Sequence, residues 1–380
     1  MNISSYLDND MTLREVANKL IEQSKGRKRN YIGMSAIGND CWRMLWYRFR
    51  NVLEEHLSLQ SILAIEDGYK QEDIMADRLR LIKDIKLDTV NPETGTQFEF
   101  KYLSGHFAGH CDGIIQGIFE APKTVHIWEN KAVNEKKFKQ LKELILSEGD
   151  KNALKLWDEI YYAQAIIYMH ASNLTRHYLT VQTPGGRDYT SCRTEHNTKE
   201  ALSIIAKAET IIRADKPLPR LSENRSFYKC NWCGMKEICF DNKVPAVNCR
   251  TCAFSEPVID EKRNDAVWKC YKKNIEFTGN GISDCDQHLF LNTLVPFKTT
   301  AADESTSIPN WIKYSLPTGE SFYNINSSAK IIPGMNCLTS QKIYEKEFFE
   351  LCFNDEQIKS VEIKEIQKDK KEIKKLKGMI

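Results

Sequence analysis

The sequence predicts an α/β fold. Two observations lead to this class. Runs rich in β-branched and aromatic residues, bounded by turn residues, are typical of strands and lie at about 96–103, 106–116, 124–132, 175–183 and 189–195. Long segments with apolar residues at helical spacing lie at 62–82 and 156–172. Because these helical segments alternate with the strands along the chain, we expect the α/β class.

The chain is long enough for more than one domain, since it has 380 residues of which 41% are hydrophobic. The formal net charge of +2 excludes a uniformly basic surface for nucleic acid but allows a local basic channel. The sequence has no apolar segment of the signal-peptide kind at its start and no run of about 18 apolar residues. We therefore expect no membrane span and a cytosolic location.

Local signals place two helices before the sheet. Thr12 and Glu15 form a capping-box pattern, which predicts a first helix from there to about Ser24. The segment MSAIGNDCWRMLWYRFR, at 34–50, is dense in aromatic residues and predicts a second helix with Cys41 near its start. Both helices are expected to support the core.

Changes of composition divide the rest of the chain. Asn197 should cap a helix that ends near Arg213, and the Pro-punctuated linker KPLPRL then leads into a cysteine-rich region. Residues 311–324 indicate a hairpin around Pro317 and Gly319. We predict a core at 1–245, a metal-binding module at 246–292, a small β-rich appendage at 293–354 and a lysine-rich tail at 355–380.

Charged side chains converge on the two central strands, GHCDGII at 109–115 and VHIWENKAV at 125–133. Glu129 and Lys131 are two residues apart, so they point to the same face of a strand, where Asp112 of the neighbouring strand can join them. Two carboxylates suit Mg²⁺ or Mn²⁺. A lysine beside such a site can orient a water for attack on a phosphodiester.

The spacing alone leaves a second interpretation open, in which these residues form a solvated strand end. Two local features favour the catalytic interpretation. Gly109 and Gly113 bracket Asp112, and a hydrophobic run leads directly into Glu129 and Lys131. The two interpretations differ in whether the three charged groups come together.

At these residues the chain resembles the PD-(D/E)xK nuclease superfamily, in particular its RecB-like and lambda-exonuclease-like branch. The family's metal-binding Asp falls on Asp112, and its E-x-K falls on Glu129 and Lys131. The resemblance implies a restriction-endonuclease-like core, in which a central mixed sheet is flanked by helices, and an activity that hydrolyses DNA phosphodiesters. In it Asp112 and Glu129 would hold Mg²⁺ or Mn²⁺, while Lys131 would orient the water and stabilise developing charge.

Two helices carry the family's remaining motifs. The upstream helix acid, in a G-x-x-x-(H/E) setting, falls on Glu72 after Gly68, and the Q-x-x-x-Y motif falls on Gln164 and Tyr168. Gln164 and Tyr168 share one helix face, and the resemblance places them on the substrate side of the metal centre. Glu72 would support the metal. The RecB-like branch often has His at this position, so an exposed helical Glu remains the alternative.

Twelve cysteines in a reducing compartment favour metal binding over disulfides. Four stand singly and are interpreted as small buried apolar residues, namely Cys111, Cys192, Cys337 and Cys352. Cys230, Cys233 and Cys239 have the spacing C-x2-C-x5-C, with no fourth ligand nearby. By resemblance to the iron-sulfur members of the RecB-like branch, Cys41 would complete a 4Fe-4S cluster that ties the two ends of the core together.

Five further residues suit a tetrahedral zinc site, namely Cys249, Cys252, Cys270, Cys285 and His288. Structural zinc takes four sulfur or imidazole ligands, so either Cys285 or His288 is surplus, and we favour Cys285 as the ligand.

A rival partition remains open, in which Cys230, Cys233, Cys249 and Cys252 form a zinc ribbon with the spacing C-x2-C-x15-C-x2-C. That partition leaves Cys41, Cys239, Cys270 and Cys285 without a role. In a third interpretation the cysteines bind no metal.

Together with the resemblance, these residues predict a metal-dependent DNA exonuclease of recombination, repair or phage DNA metabolism. Its partner would be single- or double-stranded DNA ends in a bacterial or phage-infected host cytosol. Contacts with recombination or replication proteins, and an oligomer, are left open. One alternative is an inactive DNA-binding scaffold, against which the intact Asp112, Glu129 and Lys131 argue. Another is an iron-sulfur redox protein, for which the sequence shows no flavin or nicotinamide fingerprint.

Overall fold

The computed structural model describes residues 10–24, 29–54, 57–304, 308–316, 318–330 and 335–346. These residues form a mixed α/β structure, which confirms the predicted class. They divide into two compact units. The first unit lies within Met1–Phe49, Glu55–Leu221 and Pro257–Val267, and the second within Arg50–Glu54, Ser222–Glu256 and Trp268–Ile380. The segment boundaries predicted at 245/246 and 292/293 stay predictions.

A five-stranded sheet is the centre of the first unit. The strands of this unit are β1 (Ile32–Gly33), β2 (Lys86–Asp88), β3 (Glu99–Tyr102), β4 (Phe107–His110), β5 (Gly113–Gln116), β6 (His126–Ala132), β7 (Arg176–Gln182) and β8 (Tyr189–Glu195). The sheet has the order β2-β5-β6-β7-β8. β6 and β7 are parallel, and the other neighbours are antiparallel, so the sheet is mixed. The predicted hairpin at 175–195 is β7 with β8.

The run predicted as one strand at 106–116 is two strands in two sheets. β4 pairs with β1 and β3 in a three-stranded sheet, whereas β5 pairs with β2 and β6. The cause is a change of hydrogen-bond partner. The Cys111 N–H donates to the carbonyl of Phe98 (3.2 Å), but the Asp112 carboxylate accepts from the Asn130 N–H on β6 (2.8 Å). Asp112 therefore lies where the two sheets meet.

Seven helices of the first unit fall within the described ranges: α1 (Met11–Ser24), α2 (Trp42–Phe49), α3 (Leu59–Arg80), α4 (Glu135–Glu148), α5 (Asp150–Trp157), α6 (Glu159–Ser172) and α7 (Thr198–Arg213). α1 is capped by Asp10, whose carboxylate accepts from the Leu13 N–H at 2.9 Å, and not by Thr12 as predicted. α2 is shorter than predicted, because the Asn39 side chain turns the chain by accepting from the Cys41 N–H (2.9 Å). None of the described helices is long and apolar enough to cross a membrane.

The segment predicted as one helix at 156–172 is divided at Asp158. Asp158 is extended, with φ −154° and ψ 106°, so α5 ends before it. Its carboxylate then caps α6 by accepting from the N–H groups of Ile160 and Tyr161, at 3.0 Å each. Lys137 pairs with the same carboxylate at 2.5 Å. The break restarts the helix that carries Gln164 and Tyr168. The cap predicted at Asn197 is confirmed, since its side chain accepts from the Glu200 N–H.

Apolar side chains cover both faces of the five-stranded sheet, as expected for a sheet flanked by helices. The cluster that includes α3 consists of Met75, Ala76, Leu79, Leu87, Ile115, Ile118 and Trp128. The cluster that includes α4, α5 and α6 consists of Val133, Phe138, Leu141, Ala153, Leu154, Trp157, Ala165, Leu179, Val181 and Cys192. Because side chains alternate along a strand, β6 and β7 can supply both clusters and still leave polar positions at their ends.

The segment Pro257–Val267 belongs to the first unit, although it lies in the sequence between two parts of the second. It packs over His106, which is fully buried and whose Nε2 lies 3.1 Å from the carbonyl oxygens of Val258 and Val267. The Ser104 hydroxyl donates to the Asp260 carbonyl at 2.7 Å, and its backbone carbonyl accepts from the Ala266 N–H at 2.8 Å. A late segment of the chain therefore completes the first unit.

In its described residues, the second unit contains short helices and two sheets. Its elements are α8 (Tyr228–Asn231), α9 (Lys236–Phe240), α10 (Ser340–Tyr344), β9 (Ser255–Pro257), β10 (Trp268–Cys270), β11 (Ile275–Phe277), β12 (Lys298–Ala302), β13 (Trp311–Ser315), β14 (Ser321–Ile325) and β15 (Cys337–Leu338). β13 and β14 form the predicted hairpin, of which Pro317 lies outside the described residues. One core joins cysteine-rich and β-rich residues, since Cys252 and Cys270 pack in the same cluster as Tyr314 and Phe322. The predicted tail at 355–380 lies outside the described residues.

Two glycines of the first unit differ in what an added methyl group would meet. At Gly109, in β4, a Cβ would lie 2.7 Å from the Tyr168 hydroxyl oxygen and 2.8 Å from Met34 Cβ, whereas at Gly68, in α3, no atom lies within 4 Å. We expect Gly109→Ala to lower the free energy of unfolding by about 1–3 kcal/mol through overpacking. Gly68→Ala, the matched control, should raise it by about 0.5–1 kcal/mol because Ala favours a helix. Urea unfolding of the two variants measures both, and equal effects would contradict the packing of β4 against α6.

Candidate active site

Asp112 lies at the start of β5, at the point where the chain passes from one sheet to the other. Its Oδ2 accepts the Asn130 N–H at 2.8 Å and lies 3.7 Å from Lys131 Nζ. Gly113, the next residue, allows a close approach, since a Cβ there would lie 2.8 Å from the Asp88 carbonyl oxygen. The carboxylate is thus held against β6 by a backbone donor and a cation.

Glu129 and Lys131 point to the same face of β6, as their spacing predicted. Lys131 Nζ donates to Glu129 Oε2 at 2.5 Å. Glu129 is 2% exposed and Lys131 is 20% exposed at the side chain, so the carboxylate is buried while the ammonium lies nearer the surface. The predicted convergence of Asp112, Glu129 and Lys131 is therefore present in the structure.

Gln164 and Tyr168 reach the same place from one face of α6. Gln164 Nε2 donates to Glu129 Oε2 at 3.1 Å and lies 3.4 Å from the Tyr168 hydroxyl. The Tyr168 hydroxyl donates to the His110 carbonyl at 2.8 Å, which fixes the backbone just before Asp112. Burial is the main cause that raises the pKa of Tyr168 above its ordinary value, and the charge of Glu129 is the second. This hydroxyl therefore keeps its proton.

Glu72 approaches from α3 on the other side of the carboxylates. It is half-buried, and burial, followed by the charge of Asp112, raises its pKa to about 7. Because charges act on each other strongly only at short range, Glu72 is a third member of the group. We call Glu72, Asp112 and Glu129 the carboxylate cluster. Gly68, its predicted motif partner, has open space around its Cα.

Burial dominates the electrostatics of this group. Burial first and the charge of Asp112 second raise the pKa of Glu129, the charge and hydrogen bond of Lys131 lower it, and the net result is a pKa of about 8. Burial alone would lower the pKa of Lys131, but the charges of Asp112 and Glu129 outweigh it, so the pKa is raised and the ammonium stays charged. The site thus contains a cation fixed beside a buried carboxyl group that holds its proton more tightly than an exposed glutamate does.

Two residues at the site were not predicted from the sequence. The Lys131 ammonium lies 5.7 Å from the centre of the Tyr161 ring, which presents a π face to it. Asn130 contributes its backbone N–H to Asp112. Tyr161 precedes Gln164 by three positions, so helical spacing placed it on the same face. The role of Asn130 has no signal in the sequence, because any non-proline residue supplies an N–H.

The donor set of this site fits a hard divalent cation. Asp112 and Glu129 lie on either side of Lys131, Glu72 interacts electrostatically with Asp112, and Glu129 Oε1 is buried and accepts no hydrogen bond from the described residues. Carboxylate oxygens are the ligands that Mg²⁺ and Mn²⁺ prefer. Among the residues that the structure describes, no three His, Cys, Asp or Glu side chains are already grouped as a metal site, and Lys131 lies against Glu129 Oε2 instead.

Electrostatic interactions connect Cys249 with Cys252, Cys270 and Cys285 in the second unit, although no three of these side chains are grouped as a metal site among the described residues. Burial raises the pKa of the Cys249 thiol, and the charges of Cys285 and Cys270 raise it further. Burial likewise raises the pKa of Cys252 to about 12, with smaller contributions from Cys249 and Cys270. The Ile282 N–H donates to Cys249 Sγ at 3.3 Å. These thiols suit a soft divalent cation such as Zn²⁺, which binds them as thiolates.

His288, the rival of Cys285, is fixed to the backbone by one ring nitrogen. Its Nε2 lies 3.1 Å from the Asn248 carbonyl oxygen, and the ring packs edge-on against Phe290 at 5.1 Å. Burial lowers its pKa to about 4, so the imidazole is neutral. Its Nδ1 is buried and has no hydrogen-bond partner among the described residues, so this nitrogen could bind a metal ion. The choice between Cys285 and His288 as the fourth zinc ligand stays a prediction.

The predicted iron-sulfur ligands are distributed over both units. Cys230, Cys233 and Cys239 are half-buried in α8, α9 and the turn between them, where the Cys233 N–H donates to the Cys230 carbonyl at 3.2 Å. Cys41 directly precedes α2 in the first unit. Of the single cysteines, Cys111 and Cys192 are buried as predicted and Cys337 is half-buried, while Cys352 lies outside the described residues.

No family model matches the chain, and no curated protein matches it. Several solved structures do. The protein SSO0001 is 16% identical, over 60% of this chain and 96% of its own, with a TM-score of 0.36. An alkaline exonuclease from Laribacter hongkongensis, LHK-Exo, is 11% identical, over 51% of this chain and 90% of its own, with a TM-score of 0.34. LHK-Exo in complex with dAMP is 13% identical, over 50% of this chain and 90% of its own, with a TM-score of 0.34. Similarities of this degree do not establish a shared fold or function.

The raised pKa of Glu129 predicts a pH dependence of stability. In the metal-free protein the pKa rises from 4.5 to about 8 on folding, so the folded state binds the proton more tightly. This contribution is fully present below pH 4.5 and is lost as the pH rises through about 8. We expect Glu129→Gln to flatten the fall in melting temperature between these pH values. Glu120→Gln, at an exposed position, is the control, and parallel profiles for wild type and Glu129→Gln would show that Glu129 ionises normally.

Proposed function

We propose that the chain is a nuclease that hydrolyses DNA phosphodiester bonds with the help of a divalent cation. The observation that carries the proposal is the convergence of Asp112, Glu129 and Lys131, with the Glu129 carboxyl group buried and hydrogen-bonded to Lys131. A buried acid of this kind costs stability unless a cation or a proton compensates its charge. A solvated strand end, the alternative, would leave these groups exposed.

Asp112 and Glu129 would hold Mg²⁺ or Mn²⁺, with Glu72 in support. When bound, such a cation supplies Lewis-acid stabilisation of charge on the phosphate. Because the pKa of Glu129 is about 8 without metal, cation binding must release the Glu129 proton near neutral pH. Apparent metal affinity should therefore increase with pH up to about 8.

Lys131 would act on the attacking water and on the phosphate. Its ammonium is held between Asp112 and Glu129, at 3.7 and 2.5 Å, and its pKa is raised, so it remains a hydrogen-bond donor throughout the reaction. In that position it can orient a water by donation and stabilise negative charge that develops on the phosphate. Gln164 fixes the Glu129 carboxylate by donating to Oε2, and Tyr168 fixes the backbone before Asp112.

The finer part of the proposal is exonuclease action on single- or double-stranded DNA ends, in recombination, repair or phage DNA metabolism. It rests on the resemblance of the motifs and sets a bacterial or phage-infected host cytosol as the place of action. An inactive DNA-binding scaffold is the second candidate. The intact set of two acids and one lysine favours the nuclease.

We also propose a structural zinc site in the second unit, formed by Cys249, Cys252, Cys270 and Cys285. The set is supported by the electrostatic interaction of Cys249 with Cys285 and Cys270, and of Cys252 with Cys249 and Cys270. A closed set of four thiolates is typical of structural zinc.

A 4Fe-4S cluster on Cys230, Cys233 and Cys239, with Cys41 as the fourth ligand, remains a proposal from the sequence. The three cysteines near α8 and α9 are close in the chain and half-buried, which suits a cluster shielded from solvent on one side. The metal content of anaerobically purified protein tests it together with the zinc site.

Substitution of the charged residues should separate catalysis from binding. We expect Asp112→Asn, Glu129→Gln and Lys131→Met each to reduce cleavage of end-labelled DNA in Mn²⁺ by about 10²-fold or more, since each removes a metal ligand or the donor that positions water. DNA binding measured in Ca²⁺ should persist. Lys123→Met, an exposed lysine on the turn before β6, is the matched control.

Near-normal turnover by Lys131→Met would contradict the catalytic assignment. Absence of cleavage by the wild type under every divalent cation, with DNA binding intact, would favour the scaffold. Comparison of linear with circular DNA tests the exonuclease part of the proposal, because an exonuclease spares the circle.

Metal analysis should separate the two cysteine sites. We expect Cys270→Ser to lose zinc and keep iron, and Cys230→Ser to lose iron and keep zinc, because each removes one ligand from a different set. Cys337→Ser, outside both sets, is the control. Loss of zinc from Cys230→Ser, with no iron in the wild type, would support the ribbon instead.

A further inference from the structure

A single buried amide joins the segments that carry the carboxylate cluster. Gln182, at the end of β7, is fully buried. Its Nε2 donates to the backbone carbonyl of Gln71 at 2.6 Å and to Asn130 Oδ1 at 3.3 Å. Its Oε1 accepts from Arg78 Nη1 at 3.3 Å. The amide therefore uses both of its polar atoms.

Each end of this link is next to a member of the carboxylate cluster. Gln71 precedes Glu72 in α3, so Gln182 holds the helical turn that presents Glu72. Asn130 lies between Glu129 and Lys131 in β6, and its backbone N–H donates to Asp112. One side chain of β7 thus connects the helix of Glu72 with the strand and the loop that carry the other two acids.

The link is supported on both sides. The Thr180 hydroxyl donates to Asn130 Oδ1 at 3.0 Å, so the acceptor of Gln182 is fixed by a second donor. Arg78 Nη1 also donates to the Gly186 carbonyl at 3.0 Å, which ties α3 to the turn after β7. Gly186 has φ +63°, and a Cβ there would collide with Gln71 Oε1. The turn therefore closes tightly against α3.

We propose that Gln182 is a positioning residue that sets the distance of Glu72 from Asp112 and Glu129, and thereby the affinity of the site for a divalent cation. The inference rests on the proposed nuclease function. The three acids come from a helix, a strand and a loop, and mutual repulsion of their charges favours separation. The bonds of Gln182 oppose that separation before any cation binds. Outer-shell partners of this kind typically contribute about 10- to 100-fold to metal affinity.

The test measures Mn²⁺ affinity without DNA, by electron paramagnetic resonance of free Mn²⁺, on wild type, Gln182→Met and Gln182→Asn. We expect the Kd for Mn²⁺ to rise about 10- to 100-fold in both variants. Gln182→Met removes the donors at nearly constant volume. Gln182→Asn keeps an amide group, but its side chain is too short to reach both partners. It therefore tests the same role if Gln182→Met does not fold. Saturating Mn²⁺ should restore most of the cleavage rate.

Thr194→Val is the matched control, since Thr194 is a buried polar residue of the same sheet without a hydrogen bond to the carboxylate segments. Its Mn²⁺ affinity should equal that of wild type. The positioning role is overturned if wild type binds Mn²⁺ and cleaves DNA while both Gln182 variants keep its Kd within about twofold, or if Thr194→Val weakens binding equally. A wild type that binds no Mn²⁺ and cleaves no DNA instead refutes the proposed function.

Discussion

The burial of the Glu129 carboxyl group is the constraint on which the arrangement of the first unit depends. An ionised carboxylate in that position is costly, so its surroundings have to supply compensation. Lys131 does so with charge, and Gln164 does so with a hydrogen bond. The change of strand partner at Asp112 adds a second acid on the same side, which keeps the lysine charged but raises the pKa of Glu129. The resulting site combines a buried acid whose proton is held tightly with a lysine that stays charged.

The mixed sheet brings together the elements that bury Glu129. A parallel pair, β6 and β7, requires a crossover through helices, and that crossover contains α6 with Gln164 and Tyr168. The antiparallel neighbour β5 brings Asp112 from the other side. α3 then covers the opposite face, with Glu72 at its middle. Helix, strand and loop each contribute one acid, so no short segment of the chain could form the site alone.

The sequence predicted the site best where the regular spacing of side chains within one strand or helix decides which residues share a face. Glu129 and Lys131 share a face because strands alternate, and Gln164 and Tyr168 share one because of helical spacing. The break between β4 and β5 was not predictable, since it depends on which distant strand binds the backbone on each side of Asp112. The cap at Asp158 was not predicted, because apolar residues occur both before and after it and suggest one continuous helix. The link through Gln182 joins positions more than 100 residues apart, and no short-range pattern records such a bond.

The packing of Pro257–Val267 over His106 has a consequence for how the protein is made. The imidazole is fully buried and its Nε2 faces carbonyl oxygens of Val258 and Val267, so a chain that stops earlier lacks both. On the ribosome, the first unit cannot finish folding when its last helix, α7, has emerged. It has to wait until the cysteine-rich segment up to residue 256 has also been synthesised. Cys230, Cys233, Cys239, Cys249 and Cys252 are therefore synthesised before the first unit can finish folding.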